Sequence, residues 1–274
     1  MSKFVRLAVG LIAGACLLPS LASAQSGGGA PDLGGPVTGE QVLELPLGGG
    51  LQQRALYASP ARPRGVIVML PGGSGDVGIR RDGDLRHDDN FVVRTRGLWV
   101  ARGYAVLIPD TLERENLRGL RSSPCYAALV DGLASYARRT AQAPVFLLGT
   151  SQGSIAAMNG AAHAAPGALA GVVLTESVSV MGGSHETVFD ADPKDVRAPA
   201  LVVANRDDAC DVAPPSQAPA IARAMPRAAS VRVLYVSGGV DRSRKPCGSL
   251  TPHGYYGIEA QVVGEIADWM DQRR

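Results

Sequence analysis

The stretch Pro144–Ala161, PVFLLGTSQGSIAAMNGA, constrains this chain more than any other. Its first part, Val145-Phe146-Leu147-Leu148, is a short apolar run between Pro144 and Gly149, which reads as a buried strand. Beyond Gly149-Thr150-Ser151-Gln152-Gly153 the composition becomes Ala-rich, and a helix is predicted over Ile155 to Ala165, ended by Pro166-Gly167. A strand that turns into a helix through G-x-S-x-G leaves the central serine at the tip of a strained turn, with its hydroxyl exposed. Gly149 and Gly153 flank it because a Cβ at either place would collide with the neighbouring strand or helix. The pentapeptide alone is a weak signal in a chain with 34 glycines; the strand before it and the small-residue helix after it give it meaning. Ser151 is the candidate nucleophile.

The rest of the chain repeats the strand-then-helix pattern. Gln41 to Leu47 and Leu51 to Ser59 alternate apolar and polar residues around Gly48-Gly49-Gly50, which predicts an antiparallel hairpin. Gly65 to Leu70 (GVIVML) is continuously apolar, the mark of a strand covered on both faces. Runs of this kind recur at Ala105–Ile108, Val145–Leu148, Gly171–Leu174, Ala200–Ala204 and Val231–Val236. Helices are predicted over Asn90–Arg102, Cys125–Thr140, Ile155–Ala165, Pro215–Met225 and Ile258–Gln272, with Trp99, Met158 and Trp269 as core residues on them. Strands and helices alternating in this way build a doubly wound, mostly parallel sheet. There is no internal repeat and no sign of a second domain.

The elbow at Ser151, set in this alternation, resembles the α/β-hydrolase family. A hairpin followed by six parallel strands matches that family's eight-stranded, three-layer α/β sheet, and the resemblance covers residues 41–274. Only about two dozen residues, Glu176 to Pro199, separate the sixth strand from the seventh, where larger members carry a cap domain. The resemblance is therefore to a minimal, dienelactone-hydrolase-like member with an open cleft.

A neutral serine is a weak nucleophile and needs a base within hydrogen-bond reach, itself oriented by a carboxylate. The family's chain order is Ser, then Asp or Glu, then His. Of the four histidines, His253 alone follows the last strand and precedes the last helix, where the family places its base. By the same resemblance the seventh strand and its loop, ALVVANRDDACDVAP, put the acid at Asp208. A one-residue shift of register would select Asp207; Asp211 and Glu176 are further candidates. The oxyanion donors implied are the backbone N–H of Gln152 and that of Gly73, with Ser74 next, from Leu70-Pro71-Gly72-Gly73-Ser74-Gly75. That loop is similar to the family's HG-x-G segment with Pro71 in place of the histidine. No G-K-[ST] follows it, so it makes no nucleotide site.

If Asp208 meets His253, their loops converge, and Cys210 and Cys247 can pair as a disulfide. Cys125 is then left over in a helix, expected to pack rather than react. No C-x-x-C pair suits zinc, and the reading requires no cofactor and no metal. Gly182 to Val188 is a candidate lining of the acyl pocket. The charged segment Arg80 to Arg96 faces either a charged substrate at the cleft mouth or solvent, with Asp89 or Asn90 capping the next helix.

Lys3 and Arg6, an apolar run from Leu7 to Leu18 too short to cross a bilayer, and Ala22-Ser23-Ala24 together predict a signal peptide cleaved after Ala24. Residues 25–40, rich in Gly and Pro, are expected to form a flexible leader. Cleavage lowers the basic residues from 27 to 25, against 25 acidic ones; a neutral chain offers nucleic acid no basic face. The expectation is an exported serine hydrolase, periplasmic or secreted, without stable membrane insertion after cleavage. It would act on a small-molecule carboxylic ester through Ser151, Asp208 and His253. An amidase or peptidase, an acyltransferase, or a non-catalytic binding module on the same fold are the alternatives.

Overall fold

The computed structural model describes residues 33, 35, 37–48 and 51–273. The signal peptide, its cleavage site and most of the leader lie outside the described residues. The part of the leader that is described is held in place. Arg96, buried beneath it, donates to Glu40 at 2.5 Å and to the Gly35 carbonyl at 3.0 Å.

Among the described residues, eight strands form one sheet: β1 (Gln41–Gly48), β2 (Leu51–Ala58), β3 (Gly65–Leu70), β4 (Tyr104–Pro109), β5 (Val145–Thr150), β6 (Gly171–Thr175), β7 (Ala200–Asn205) and β8 (Val231–Val236). Their spatial order is β1-β2-β4-β3-β5-β6-β7-β8. The hairpin β1–β2 and the β2–β4 pair are antiparallel, and every other neighbouring pair is parallel. The architecture is three-layer α/β.

Among the described residues, six α-helices cover the sheet: α1 (Phe91–Arg94), α2 (Arg96–Ala101), α3 (Pro124–Ala141), α4 (Gln152–His163), α5 (Ala218–Arg223) and α6 (Glu259–Asp271). The pleat divides each central strand between two cores. Val66, Val68 and Leu70 of β3 pack with α3 and α4, while Ile67 and Met69 pack on the opposite side with α1, α2 and α6. Trp99, Met158 and Trp269 lie in these cores, all but fully buried.

Two predicted elements differ. The helix expected over Asn90–Arg102 is broken at Thr95, whose hydroxyl donates to the Phe91 carbonyl at 2.7 Å and competes with the helical ladder. Val231–Val236 is apolar in sequence, yet as the edge strand β8 it is mostly half-buried.

The strand order fixes where a site can lie. The chain runs from β3 outward to β4, then returns to β5 on the other side of β3. The crevice at the carboxyl ends of β3 and β5 is therefore the topological switch point, where open α/β sheets bind their ligands. Leu70 at the end of β3 is in register with Gly149 of β5, so the Pro71–Gly75 loop and the G-x-S-x-G turn emerge side by side.

Candidate active site

Ser151 sits between β5 and α4 with φ 53° and ψ −123°, a backbone conformation that few residues other than glycine adopt. Three contacts impose it. The Ser151 N–H donates to the Thr175 carbonyl at the end of β6, at 2.9 Å. A Cβ on Gly149 would lie 2.1 Å from the Gly153 carbonyl oxygen, and one on Gly153 would lie 2.0 Å from that of Leu70. Both glycines are thus required by backbone passing over backbone, and the turn cannot relax without separating β3 from α4.

The Ser151 hydroxyl is 2.9 Å from His253 Nε2, and His253 Nδ1 is 2.8 Å from Asp208 Oδ2. Asp208 and His253 are both buried, so the interaction is little screened. The other oxygen of Asp208 accepts the Cys210 N–H at 2.8 Å, which orients the carboxylate. His253 lies in a single 3-10 turn, Pro252–Gly254, begun by Thr251, whose hydroxyl accepts the His253 N–H. Gly254 has no room for a side chain, since its Cβ would lie 1.9 Å from the Ser249 carbonyl oxygen.

The other carboxylates have different partners. Asp207 turns away and accepts the Gly238 N–H at 2.6 Å. Asp211 lies on the exposed side of the disulfide, beside Cys247. Glu176, buried just past β6, accepts the Asn205 N–H at 2.7 Å and faces the far side of Asp208. Burial first, and then the charge of Asp208, push its pKa well above the usual carboxylate range.

Cys210 and Cys247 form a disulfide that ties the Asp208 loop to the His253 loop. Cys125, expected to pack, is exposed at the start of α3 because it falls on that helix's solvent face. Asn205 adds a second tie, donating from Nδ2 to the Gly238 and Pro252 carbonyls at 2.8 and 3.0 Å. Among the described residues, two clusters have metal-type ligands close together: Glu176, Asp208 and His253, and Cys210, Asp211 and Cys247. In the first, both imidazole nitrogens are already hydrogen-bonded to Asp208 and Ser151. In the second, the two sulfurs are bonded to each other.

Gln152 is the first residue of α4, so its N–H has no carbonyl one turn earlier within the helix and is available beside Ser151. Across from it the Pro71–Gly75 loop passes directly over Ser151: a Cβ on Gly72 would lie 3.1 Å from Ser151 Cβ. Gly73 follows with φ +61° and lines the cleft together with Ser74. The loop is held from behind by residues the sequence did not single out. Leu117 N–H donates to the Ser74 carbonyl at 2.9 Å, and buried Arg121 donates to that of Pro71 at 3.3 Å. Desolvation lowers the Arg121 pKa. The Glu186 carboxylate accepts the N–H groups of Gly119 and Ser122, each at 2.9 Å, and so fixes the segment that carries Arg121.

These contacts correct one expectation: Gly182–Val188 does not line the cleft. Its buried Glu186 instead braces the segment after β4, and the buried Ser184 hydroxyl donates to the Glu186 carbonyl. The charged segment does form a wall, with Arg86, His87, Asp89 and Asn90 facing the cavity, and Asn90 also accepts the Val92 N–H at the start of α1. Asp110 holds this wall by accepting the N–H groups of Val77, Gly78 and Ile79. The cleft in front of Ser151 has a volume of about 510 Å³ and is mostly polar, with Arg118 and Lys245 adding positive charge.

Solved structures share this arrangement of strands. A dienelactone hydrolase from Anabaena variabilis matches with a TM-score of 0.58 at 16% identity, over 86% of this chain and 99% of its own. Est1E from Butyrivibrio proteoclasticus matches at 0.56 and 12%, over 85% and 98%. An arylesterase matches at 0.59 and 14%, over 88% of each chain. The chain has the α/β-hydrolase fold. No family model matches it, and no curated protein does. Among the described residues, no helix of this α/β-hydrolase fold is long and apolar enough to cross a membrane.

Proposed function

We propose that the protein is an exported serine hydrolase that cleaves carboxylic esters of small molecules. The observation that carries this reading is the unbroken relay of Ser151, His253 and Asp208, with spacings of 2.9 and 2.8 Å, on a strained turn at the switch point. A binding module has no use for a buried carboxylate aimed at an imidazole aimed at a serine. Esterases and a dienelactone hydrolase on the same fold support the reaction class by analogy.

In this reading His253 Nε2 takes the proton as Ser151 Oγ attacks the ester carbonyl. Asp208 holds Nδ1–H, which fixes the tautomer and stabilises the imidazolium. The oxyanion is received by the N–H groups of Gln152 and Gly73. His253 then passes its proton to the departing alkoxide, leaving an acyl-enzyme on Ser151. A water molecule, deprotonated by the same imidazole, attacks the acyl carbonyl and releases the acid and free serine. The polar cleft favours short or hydrophilic acyl groups over long alkyl chains. Export is supported by the charged, apolar and A-x-A pattern of residues 1–24, and a disulfide suits an oxidising compartment.

Fluorophosphonate labelling of the folded mature protein tests the proposal. One equivalent bound at Ser151, none in Ser151→Ala, and turnover of a short-chain ester are expected. An amide substrate and an added acceptor alcohol, run in parallel, separate esterase from amidase and acyltransferase. Folded protein that takes no label would overturn the reading. The intact mass of the exported protein, expected to begin at Gln25, tests the export.

A further inference from the structure

We infer that Glu176 stands at the relay as a neutral carboxylic acid that donates its proton to the Asp208 carboxylate, so that His253 faces two carboxyl groups sharing one negative charge. This deepens the serine-hydrolase reading and rests on it. Glu176 would be a positioning residue, acting through Asp208.

The geometry leaves Glu176 few alternatives. Its φ of 42°, unusual for a residue with a side chain, turns the chain back at the end of β6. Its N–H donates to the Val203 carbonyl at 3.1 Å, and its Oε1 accepts from Asn205, so backbone and carboxyl are both fastened to β7. The second oxygen, Oε2, is buried with no donor bonded to it among the described residues. The titratable groups that face it are Asp208 from the loop after β7, and His253 and Tyr255 from the loop after β8. The Tyr255 hydroxyl donates to the Val203 carbonyl at 3.2 Å. Glu176, Asp208 and His253 each bring one atom within 4.8 Å of the other two, and no lysine or arginine lies among the groups acting on Glu176.

Two carboxylates that close, in a buried site without a neighbouring cation, do not both ionise. The choice between them follows from their donors. Asp208 receives the Cys210 N–H and the imidazole, one on each oxygen, whereas Glu176 receives the Asn205 N–H and only a share of the Tyr255 hydroxyl, which also donates to the Val203 carbonyl, and both weigh less on it than burial and Asp208. The charge therefore resides on Asp208 and the proton on Glu176 Oε2, the oxygen otherwise left bare. The consequence is chemical: a second full charge beside the imidazole would favour its cation, which cannot accept the serine proton. A neutral Glu176 leaves one charge, itself accepting a hydrogen bond, and keeps the base free.

Infrared spectroscopy and pH–rate profiles test this on the full mature protein with p-nitrophenyl acetate as substrate. At neutral pH a protonated-carboxyl stretch is expected in the wild type, shifted by ¹³C-glutamate labelling and absent from Glu176→Gln. Because the isotope shift needs no substitution, the test stands even if a variant fails to fold. Glu176→Leu is expected to lower kcat on the order of tenfold, a fraction of what a positioned base supplies. Glu176→Gln, which keeps a neutral donor, is expected to restore most of the loss and leave the acid limb of kcat/KM where it was. Absence of the band, or an acid limb displaced downward by about one pH unit or more in Glu176→Gln, would show a charged Glu176 and overturn the inference. Failure of the serine-hydrolase reading is separate: Ser151 would take no label while the infrared band remained.

Discussion

Asn205 Nδ2 donates to the Pro252 carbonyl at 3.0 Å, so the end of the strand leading to Asp208 is hydrogen-bonded to the residue before His253. The same amide reaches the Gly238 carbonyl, and its oxygen accepts the Asp207 N–H. One fully buried side chain therefore sets the spacing of the Asp208 loop and the His253 loop. Asn205→Ala takes its donor from the half-buried Gly238 carbonyl and leaves the Pro252 carbonyl with the Tyr255 N–H alone, at about 1–3 kcal/mol in all. The variant should lose stability in urea unfolding, and kcat should fall on the order of tenfold as the relay loosens.

Asp208 and Asp207 are adjacent in sequence and opposite in environment. Asp208→Asn should lower kcat by about 10⁴-fold on a short-chain ester, because the amide no longer fixes the imidazole tautomer. Asp207→Asn should stay within about threefold, as expected of an exposed substitution. Steady-state kinetics of the two purified variants decides; the reverse ranking would move the acid to Asp207.

The disulfide spans a sequence separation of 37 and joins the same two loops. In the chain-entropy model, closing a loop of that size contributes about 4 kcal/mol. Replacing both cysteines by serine should lower the urea midpoint accordingly and raise the unfolding slope, because the denatured chain without the cross-link exposes more surface, and should raise KM or lower kcat through the untethered His253 loop. Replacing Cys125, exposed and unpaired in a disulfide, should do neither.

The sequence carried the backbone logic of the site further than its support. Gly149, Ser151 and Gly153 were legible because a strand followed at once by a helix admits few turns, and only glycine tolerates carbonyl oxygens near 2 Å from an ideal Cβ. The fold was legible in the alternation of apolar runs with helical stretches. Asp208 could be picked out only by counting from a strand end, which left Asp207 open. The parts that were not legible are polar side chains whose partners are remote in sequence. Glu186 bonds to Gly119 and Ser122, and Asp110 to Val77 and Ile79, and neither pattern has a local signature. The break at Thr95 escaped for the opposite reason: a threonine inside an apolar helical pattern gives no warning that its hydroxyl will bond backward.

Gly153 and Gly132 make a contrasting pair. An alanine at Gly153 drives its Cβ into the Leu70 carbonyl, while one at Gly132, exposed on α3, meets nothing within 4 Å. Gly153→Ala should cost more than about 4 kcal/mol and leave little soluble protein, a large share of the stability of an ordinary domain. Gly132→Ala should stabilise by about 0.5–1 kcal/mol, since a helix interior favours alanine over glycine. Thermal melts of whatever soluble protein each variant yields check both.

Glu176 also predicts how stability varies with pH. Its folded pKa is raised by burial and by the charge of Asp208, whereas in the unfolded chain it returns to about 4.3. Between those two values the native state holds a proton that the unfolded state has released. Its contribution to stability is therefore fully present below the unfolded value and lost as pH rises toward the folded one, with a limiting slope of about 1.4 kcal/mol per pH unit. Glu176→Gln removes that dependence. The stability of the variant relative to the wild type should thus climb steadily from about pH 4 into the neutral range and level off where Glu176 finally ionises. Urea midpoints measured in parallel across that range report the difference directly, and parallel curves for the two proteins would mean that Glu176 titrates at the same pH folded and unfolded.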